Sequence, residues 1–199
     1  MKQHWPKGIP AREAEQIREI CRLAREKGLL AGFNGNASMR IGETALITRS
    51  GTAKGMLRHD DLSLVRLHDS RILHGRAPSS EYPLHAAMYA AQPAALSILH
   101  THPPKLLAIA AMLPREERLI LPVFEAKPLR EQMAWAGEHP PGTPELAQAA
   151  AECSREYKAI WLERHGLAAW GENLVEALAL SEELEHLAGI QLMLAQHGR

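Results

Sequence analysis

From Tyr82 to Pro104 the chain carries no Asp, Glu, Lys or Arg, a run of 23 uncharged residues. A transmembrane helix needs about 20 mostly apolar residues, so length alone admits a membrane span. The composition of the run does not: Pro83, His85, Gln92, Pro93, Ser97, His100, His102, Pro103 and Pro104 interrupt it. Two buried elements fit it better, a helix over 81–91 and a strand over 95–100, parted by a turn at Gln92-Pro93.

The rest of the chain is read around that pair. A length of 199 residues predicts one domain, 1–199. Lys+Arg and Asp+Glu both number 23, so no overall field draws the chain to nucleic acid or to an anionic membrane. Neither is expected as a partner. The opening MKQHWPKGIP has no apolar signal core, and Cys21 and Cys153 are the only cysteines. Reduced cysteines in a cytoplasmic protein are expected.

Ala14, Ile17, Ile20, Cys21 and Ala24 recur at helical steps and predict a helix over 10–28. Short strands are predicted over 37–41, 45–48, 62–67, 159–162 and 167–170, with helices over 105–112, 144–157 and 174–196. The five prolines between 114 and 142 predict an irregular stretch. The expected fold class is α/β: a single layered domain with a central, mainly antiparallel or mixed sheet flanked by helices.

Histidine number directs the search for chemistry, since 11 are present against 2 Phe and 3 Tyr. His100 and His102 end the predicted strand, and residues two apart on a strand share a face. Their imidazoles either converge on a metal or satisfy buried backbone groups. His165 precedes Gly166 near another strand, and three imidazoles with an open position form a catalytic zinc pattern. Ahead of the uncharged run stands Pro78-Ser79-Ser80-Glu81. These serines suit helix N-caps and Glu81 suits a first turn. The same free amides and hydroxyls also suit a phosphate. The loops at 35–38 (Gly-Asn-Ala-Ser) and at Ser50-Gly51 offer further cradles.

Taken in order, GNAS, ITRSG, PSSE, HTH, GTPEL, RHG and the last helix LVEALALSEELEHLAGI resemble the class II aldolase/adducin family, over about residues 11 to 195. Several roles follow from that resemblance alone. It implies His100, His102 and His165 as zinc ligands, one zinc per chain, with Glu81 completing the site and then acting as acid/base. It places Asn36, Ser50, Gly51, Ser79 and Ser80 at or beside the substrate phosphate. It implies a homotetramer with active sites between subunits, acting on a small phosphorylated sugar. The resemblance is nearest to the fuculose-phosphate aldolase branch. The expected reaction is cleavage of a ketose 1-phosphate to dihydroxyacetone phosphate and an aldehyde, through an enediolate that zinc stabilises as a Lewis acid.

Within the family, Glu81 argues against the epimerase branch, which carries Asp there. A dehydratase acting on methylthioribulose 1-phosphate is the alternative, and a non-catalytic adducin-like binding domain a third. The aldolase branch takes a proton donor from a tyrosine after the histidine strand. The matching stretch here reads LILPVFEAK, leaving Glu125, Lys127 or water for that role. His85, four residues after Glu81, either supports the site or packs on the sheet. His59, His68, His74, His186 and His197 are expected in solvent, and Trp135, Trp161 and Trp170 in packing or interface roles.

Overall fold

The computed structural model describes residues 5–196, so His197 and both ends of the expected domain lie outside the described residues. Eight strands form one sheet in the order β4-β3-β2-β1-β5-β8-β7-β6. They are β1 (Asn36–Ile41), β2 (Thr44–Thr48), β3 (Leu62–Arg66), β4 (Ile72–His74), β5 (Ser97–Thr101), β6 (Met133–Trp135), β7 (Ala159–Leu162) and β8 (Gly166–Gly171). Every neighbouring pair is antiparallel except β6 with β7, which makes the sheet mixed.

Strand periodicity sorts the core into two layers. Leu46, Leu99, Trp161, Leu167 and Ala169 pack with α1 (Ala11–Glu26), α3 (Pro104–Met112) and α6 (Leu174–Gln196). Their strand neighbours Ala45, Ile47, Ile98, Ile160, Leu162, Ala168 and Trp170 face α2 (Tyr82–Ala91) and α5 (Pro144–Ser154). Successive side chains on a strand point to opposite faces. A central strand covered on both sides is therefore apolar throughout, and β5 is buried at every position. The uncharged run is thus α2 and β5. Among the described residues no helix is long and apolar enough to cross a membrane.

Most element borders match expectation. The exceptions have physical causes. Edge strand β4 is exposed at all three positions, so no hydrophobic alternation marks it. The stretch expected to be irregular contains α4 (Ala126–Glu131) and β6. β6 is only three residues long and pairs in parallel with a strand over twenty residues away in sequence, so no local turn announces it. The helix expected from residue 81 begins at Tyr82, with Glu81 as its N-cap residue. Trp161 and Trp170 are buried, and Trp135 lies between the guanidiniums of Arg115 and Arg118, 5.3 and 5.1 Å from its ring centre. His59, His68, His74 and His186 are exposed.

One long-range cap fixes the segment after β5. Glu185, on α6, accepts from the amides of Lys105 (3.0 and 3.1 Å) and Leu106 (2.9 Å) in the first turn of α3. A nine-residue helix with no side-chain cap of its own depends on that carboxylate. Burial raises the Glu185 pKa while the two amides oppose the rise. Glu185→Ala is expected to lower stability by about 1–3 kcal/mol, because buried donors lose their acceptor. Urea unfolding followed by circular dichroism measures this, with Glu185→Gln losing less.

Candidate active site

Three side chains meet at the carboxyl end of β5. His100 is fully buried on the strand, on the face of Ile98 and α2. His102 follows the strand end, its amide bonded to the Leu29 carbonyl at 2.9 Å. Pro103 and Pro104 come next; neither has an amide hydrogen, and Pro104 opens α3. His165 ends the β7–β8 turn, whose Arg164 adopts φ 59°. One ring nitrogen from each of the three histidines lies within 4.8 Å of the others.

Two glycines permit this approach. A Cβ on Gly166 would stand 2.4 Å from the Thr101 carbonyl oxygen and 3.1 Å from His100 Cε1. A Cβ on Gly35 (φ +70°) would stand 2.6 Å from the His100 carbonyl oxygen. The glycines of RHG and GNAS are thus the price of packing two neighbouring segments against the histidine strand.

Hydrogen bonds orient the rings. His100 Nδ1 is 3.1 Å from the Leu167 carbonyl, which can only accept. That Nδ1 therefore carries the proton, and Nε2 keeps its lone pair. The same Nε2 is 3.0 Å from His102 Nε2 and 3.2 Å from Glu81 Oε2. Glu81 Oε1 lies 3.2 Å from His165 Nε2. Burial, and the neighbouring histidine charges that protonation would create, push His100 and His102 down to about 3. Both are neutral nitrogen donors near neutral pH. Glu81 Oε1 and His165 Nδ1 are buried without hydrogen-bond partners. Converging imidazole nitrogens, a fixed tautomer and an unsatisfied carboxylate oxygen together fit a divalent cation of zinc type.

Glu81 is also held from behind. Its Oε2 accepts from Asn36 Nδ2 at 2.8 Å. Asn36 Oδ1 accepts from His85 Nε2, His85 Nδ1 accepts from Ser38 Oγ at 2.7 Å, and Ser38 Oγ accepts from the Tyr89 hydroxyl at 2.7 Å. These directions form one consistent set. The carboxylate can only accept, so the Asn36 amide orientation follows, and the remaining donors follow in turn. Glu81, His85 and Tyr89 stand four residues apart, and Asn36 and Ser38 two apart, so one helix face meets one strand face. His85 is thus a support of the carboxylate, while Ser38 and Tyr89 went unforeseen. The signal for Tyr89 was the i, i+4, i+8 spacing from Glu81, and that for Ser38 its place two residues after Asn36 on the same strand face.

Of the residues expected at the phosphate, Asn36, Ser50, Gly51, Ser79 and Ser80 all line one cavity of about 470 Å³ with Glu81, His102 and His165. The amides expected to be free there are already partnered. Ser79 N donates to the Thr48 carbonyl (3.0 Å), Ser80 N to Ser50 Oγ (2.8 Å) and Glu81 N to Ser79 Oγ (3.2 Å). Glu125 lines a different groove, with Leu129 and His186, so it does not reach this cavity within the same chain.

Residues 15–192 match the family model for the class II aldolase and adducin N-terminal domain. The chain belongs to that family. It is 30% identical to an L-fuculose phosphate aldolase of Methanococcus maripaludis over 88% of this chain and 94% of that protein. It is 32% identical to a methylthioribulose-1-phosphate dehydratase of Yersinia pestis over 91% of this chain and 86% of the other. The L-fuculose-1-phosphate aldolase structure from Thermus thermophilus superposes with a TM-score of 0.80 at 29% identity, covering 94% of this chain and 96% of that one. A sugar-phosphate aldolase from Thermotoga maritima gives 0.82 at 26% identity, covering 95% and 98%.

The buried histidines tie stability to pH. Burial pushes His85 down to about 3 from an ordinary 6.5. Unfolded chains bind protons at such sites below about 6.5, whereas the folded chain refuses them until about 3. Stability of the metal-free protein is therefore complete above about 6.5 and falls between there and 3, by up to about 1.4 kcal/mol per pH unit per histidine. Urea midpoints of chelator-treated protein at pH 7.5, 6 and 5 should decline in that order; a flat series would contradict the burial argument.

Proposed function

We propose that the protein is a zinc-dependent aldolase that cleaves a ketose 1-phosphate of the L-fuculose 1-phosphate type to dihydroxyacetone phosphate and an aldehyde. The observation that carries this reading is the Glu81 carboxylate, set against three converging histidines in a cavity walled by small-residue loops. His100, His102 and His165, with Glu81, are the residues that would hold the cation. Bound there, a zinc ion supplies a Lewis acid for substrate oxygen that gains charge as the bond breaks.

The chain's own residues supply the rest. Glu81 moves the proton: it takes one from the substrate hydroxyl as the carbon–carbon bond opens, and returns one to the carbon that becomes the methylene of dihydroxyacetone phosphate. Asn36, held by His85, keeps that carboxylate in one orientation through the exchange. The loops at Ser50-Gly51 and Ser79-Ser80 grip the phosphate, and that remote binding energy orients the reacting carbons.

Dehydration of methylthioribulose 1-phosphate is the second reading, favoured by the similarity to the Yersinia pestis dehydratase. It shares the growth of charge on the ketone oxygen and differs in taking a carbon-bound proton and expelling water. We place the protein in the cytoplasm, as a homotetramer with its sites at subunit interfaces. Exposed Ile120 and Phe124, beside an apolar groove lined by Val123, Leu129, Leu187 and Ile190, support such assembly.

Zinc-loaded protein should release dihydroxyacetone phosphate from a panel of ketose 1-phosphates, detected by a coupled NADH assay. Chelation should abolish the signal. Glu81→Gln should lower kcat by about 10²- to 10⁴-fold with the fold intact. Turnover of methylthioribulose 1-phosphate without dihydroxyacetone phosphate would replace the aldolase reading with the dehydratase.

A further inference from the structure

Among the described residues Lys54 is the only lysine or arginine lining the cavity. It follows the Ser50-Gly51 turn and is 2% exposed. Its Nζ donates to the Phe33 carbonyl at 3.1 Å and to the Thr52 carbonyl at 3.0 Å. An ammonium group has three donors, so one remains after those two. Among the described residues no carboxylate lies within ion-pair distance of it; its bonded partners are neutral carbonyls.

A buried cation without an anion is costly even when hydrogen-bonded, and an anion arriving from outside would offset that cost. The two carbonyls fix the ammonium in place, and both belong to loops of the cavity wall. Around it, the amides of Ser79, Ser80 and Glu81 are committed to other acceptors. A dianion in this cavity therefore finds hydroxyl donors and one charge.

We propose that Lys54 is the phosphate-binding cation of this site and sets its preference for phosphorylated substrates. The proposal rests on the aldolase-type reading only for the presence of a phosphate on the substrate; it is silent on which bond breaks. Burial lowers the ammonium pKa, as expected where the charge waits for its counterion, while more distant Cys21, Asp61 and Glu81 oppose the fall. Lys54 has no part in proton transfer. Its effect belongs in KM, and it should distinguish a phosphorylated ketose from the same ketose without phosphate.

The test uses the zinc-loaded full chain, with inorganic phosphate as the binding probe and Lys54→Met and Lys54→Arg as variants. Calorimetry should show phosphate binding weakened about 10- to 100-fold in Lys54→Met, the range for a lost charged hydrogen bond, with Lys54→Arg retaining most of it. KM for a ketose 1-phosphate should rise by a similar factor in Lys54→Met, with KM for the unphosphorylated ketose unchanged. A general disturbance of the loops would raise both and overturn the assignment, as would unchanged phosphate affinity. Should the variants fail to fold, wild-type protein labelled with ¹⁵N at lysine Nζ decides: phosphate must shift the Lys54 resonance, and no shift overturns the proposal. Phosphate binding at Lys54 without ketose cleavage would leave this proposal standing and remove the aldolase reading. Cleavage with an unaltered KM in Lys54→Met would do the reverse.

Discussion

Strand β5 lies between β1 and β8, antiparallel to both, and the site depends on that pairing. The register sets Asn36 opposite His100 on one side and Ala168 opposite His100 on the other. Asn36 thereby starts β1 within reach of Glu81, and the β7–β8 turn delivers His165 beside the strand end. A slip of one residue in either ladder would turn His100 towards α1 and α6 and dissolve the cluster. The register is held by the two faces: Ile98 belongs to the core under α2 and Leu99 to the core under α6. Ordinary hydrophobic burial therefore places a metal-binding geometry.

Burying so many polar groups opposes folding, and the chain limits the loss by pairing nearly all of them. The chain Tyr89–Ser38–His85–Asn36–Glu81 leaves no interior donor unmatched. Among the described residues five buried side-chain atoms have no partner; two of them, Glu81 Oε1 and His165 Nδ1, lie at the cluster itself, and the others are Arg40 Nε, Arg49 Nε and Thr101 Oγ1. A bound cation would stabilise the folded state by mass action, since the unfolded chain has no preformed site for it.

Much of this was legible in the sequence because the informative residues lie in local motifs. HTH places two imidazoles on one strand face, and the uncharged run separates into α2 and β5 at Gln92-Pro93. The prolines at 83, 104 and 144 mark first turns of helices. What escaped reading was non-local. Glu185 caps α3 from 79 or 80 residues away, and β6 has no partner near it in sequence. The serine amides looked free because sequence shows a helix start, not the Thr48 carbonyl and Ser50 hydroxyl that fold against it. Nothing in the local sequence SGTAKG marks Lys54 either; its burial and its bonds to the Phe33 and Thr52 carbonyls exist only in the fold.

Both proposed reactions would build charge on a ketone oxygen beside a phosphate; cleavage begins with loss of a hydroxyl proton and dehydration with loss of a carbon-bound one. His100, His102, His165, Glu81 and the loops proposed for the phosphate could serve both. Selection between cleaving a carbon–carbon bond and expelling water must then come from the opposite wall of the cavity, which holds the leaving fragment. There the sequence departs from the aldolase branch. The stretch LILPVFEAK after the histidine strand holds no tyrosine, and Glu125 opens onto another groove of the same chain. The remaining lining residues here are Phe33, Asn34, Gly35 and Pro141, the first largely exposed at 67% and the last from the loop before α5. None of them carries an acidic side-chain proton. For dehydration, an acid for the departing hydroxyl would then be water or a group brought by another subunit; on the proposed reading the substrate's far end would be read by shape and assembly, and its phosphate end by charge.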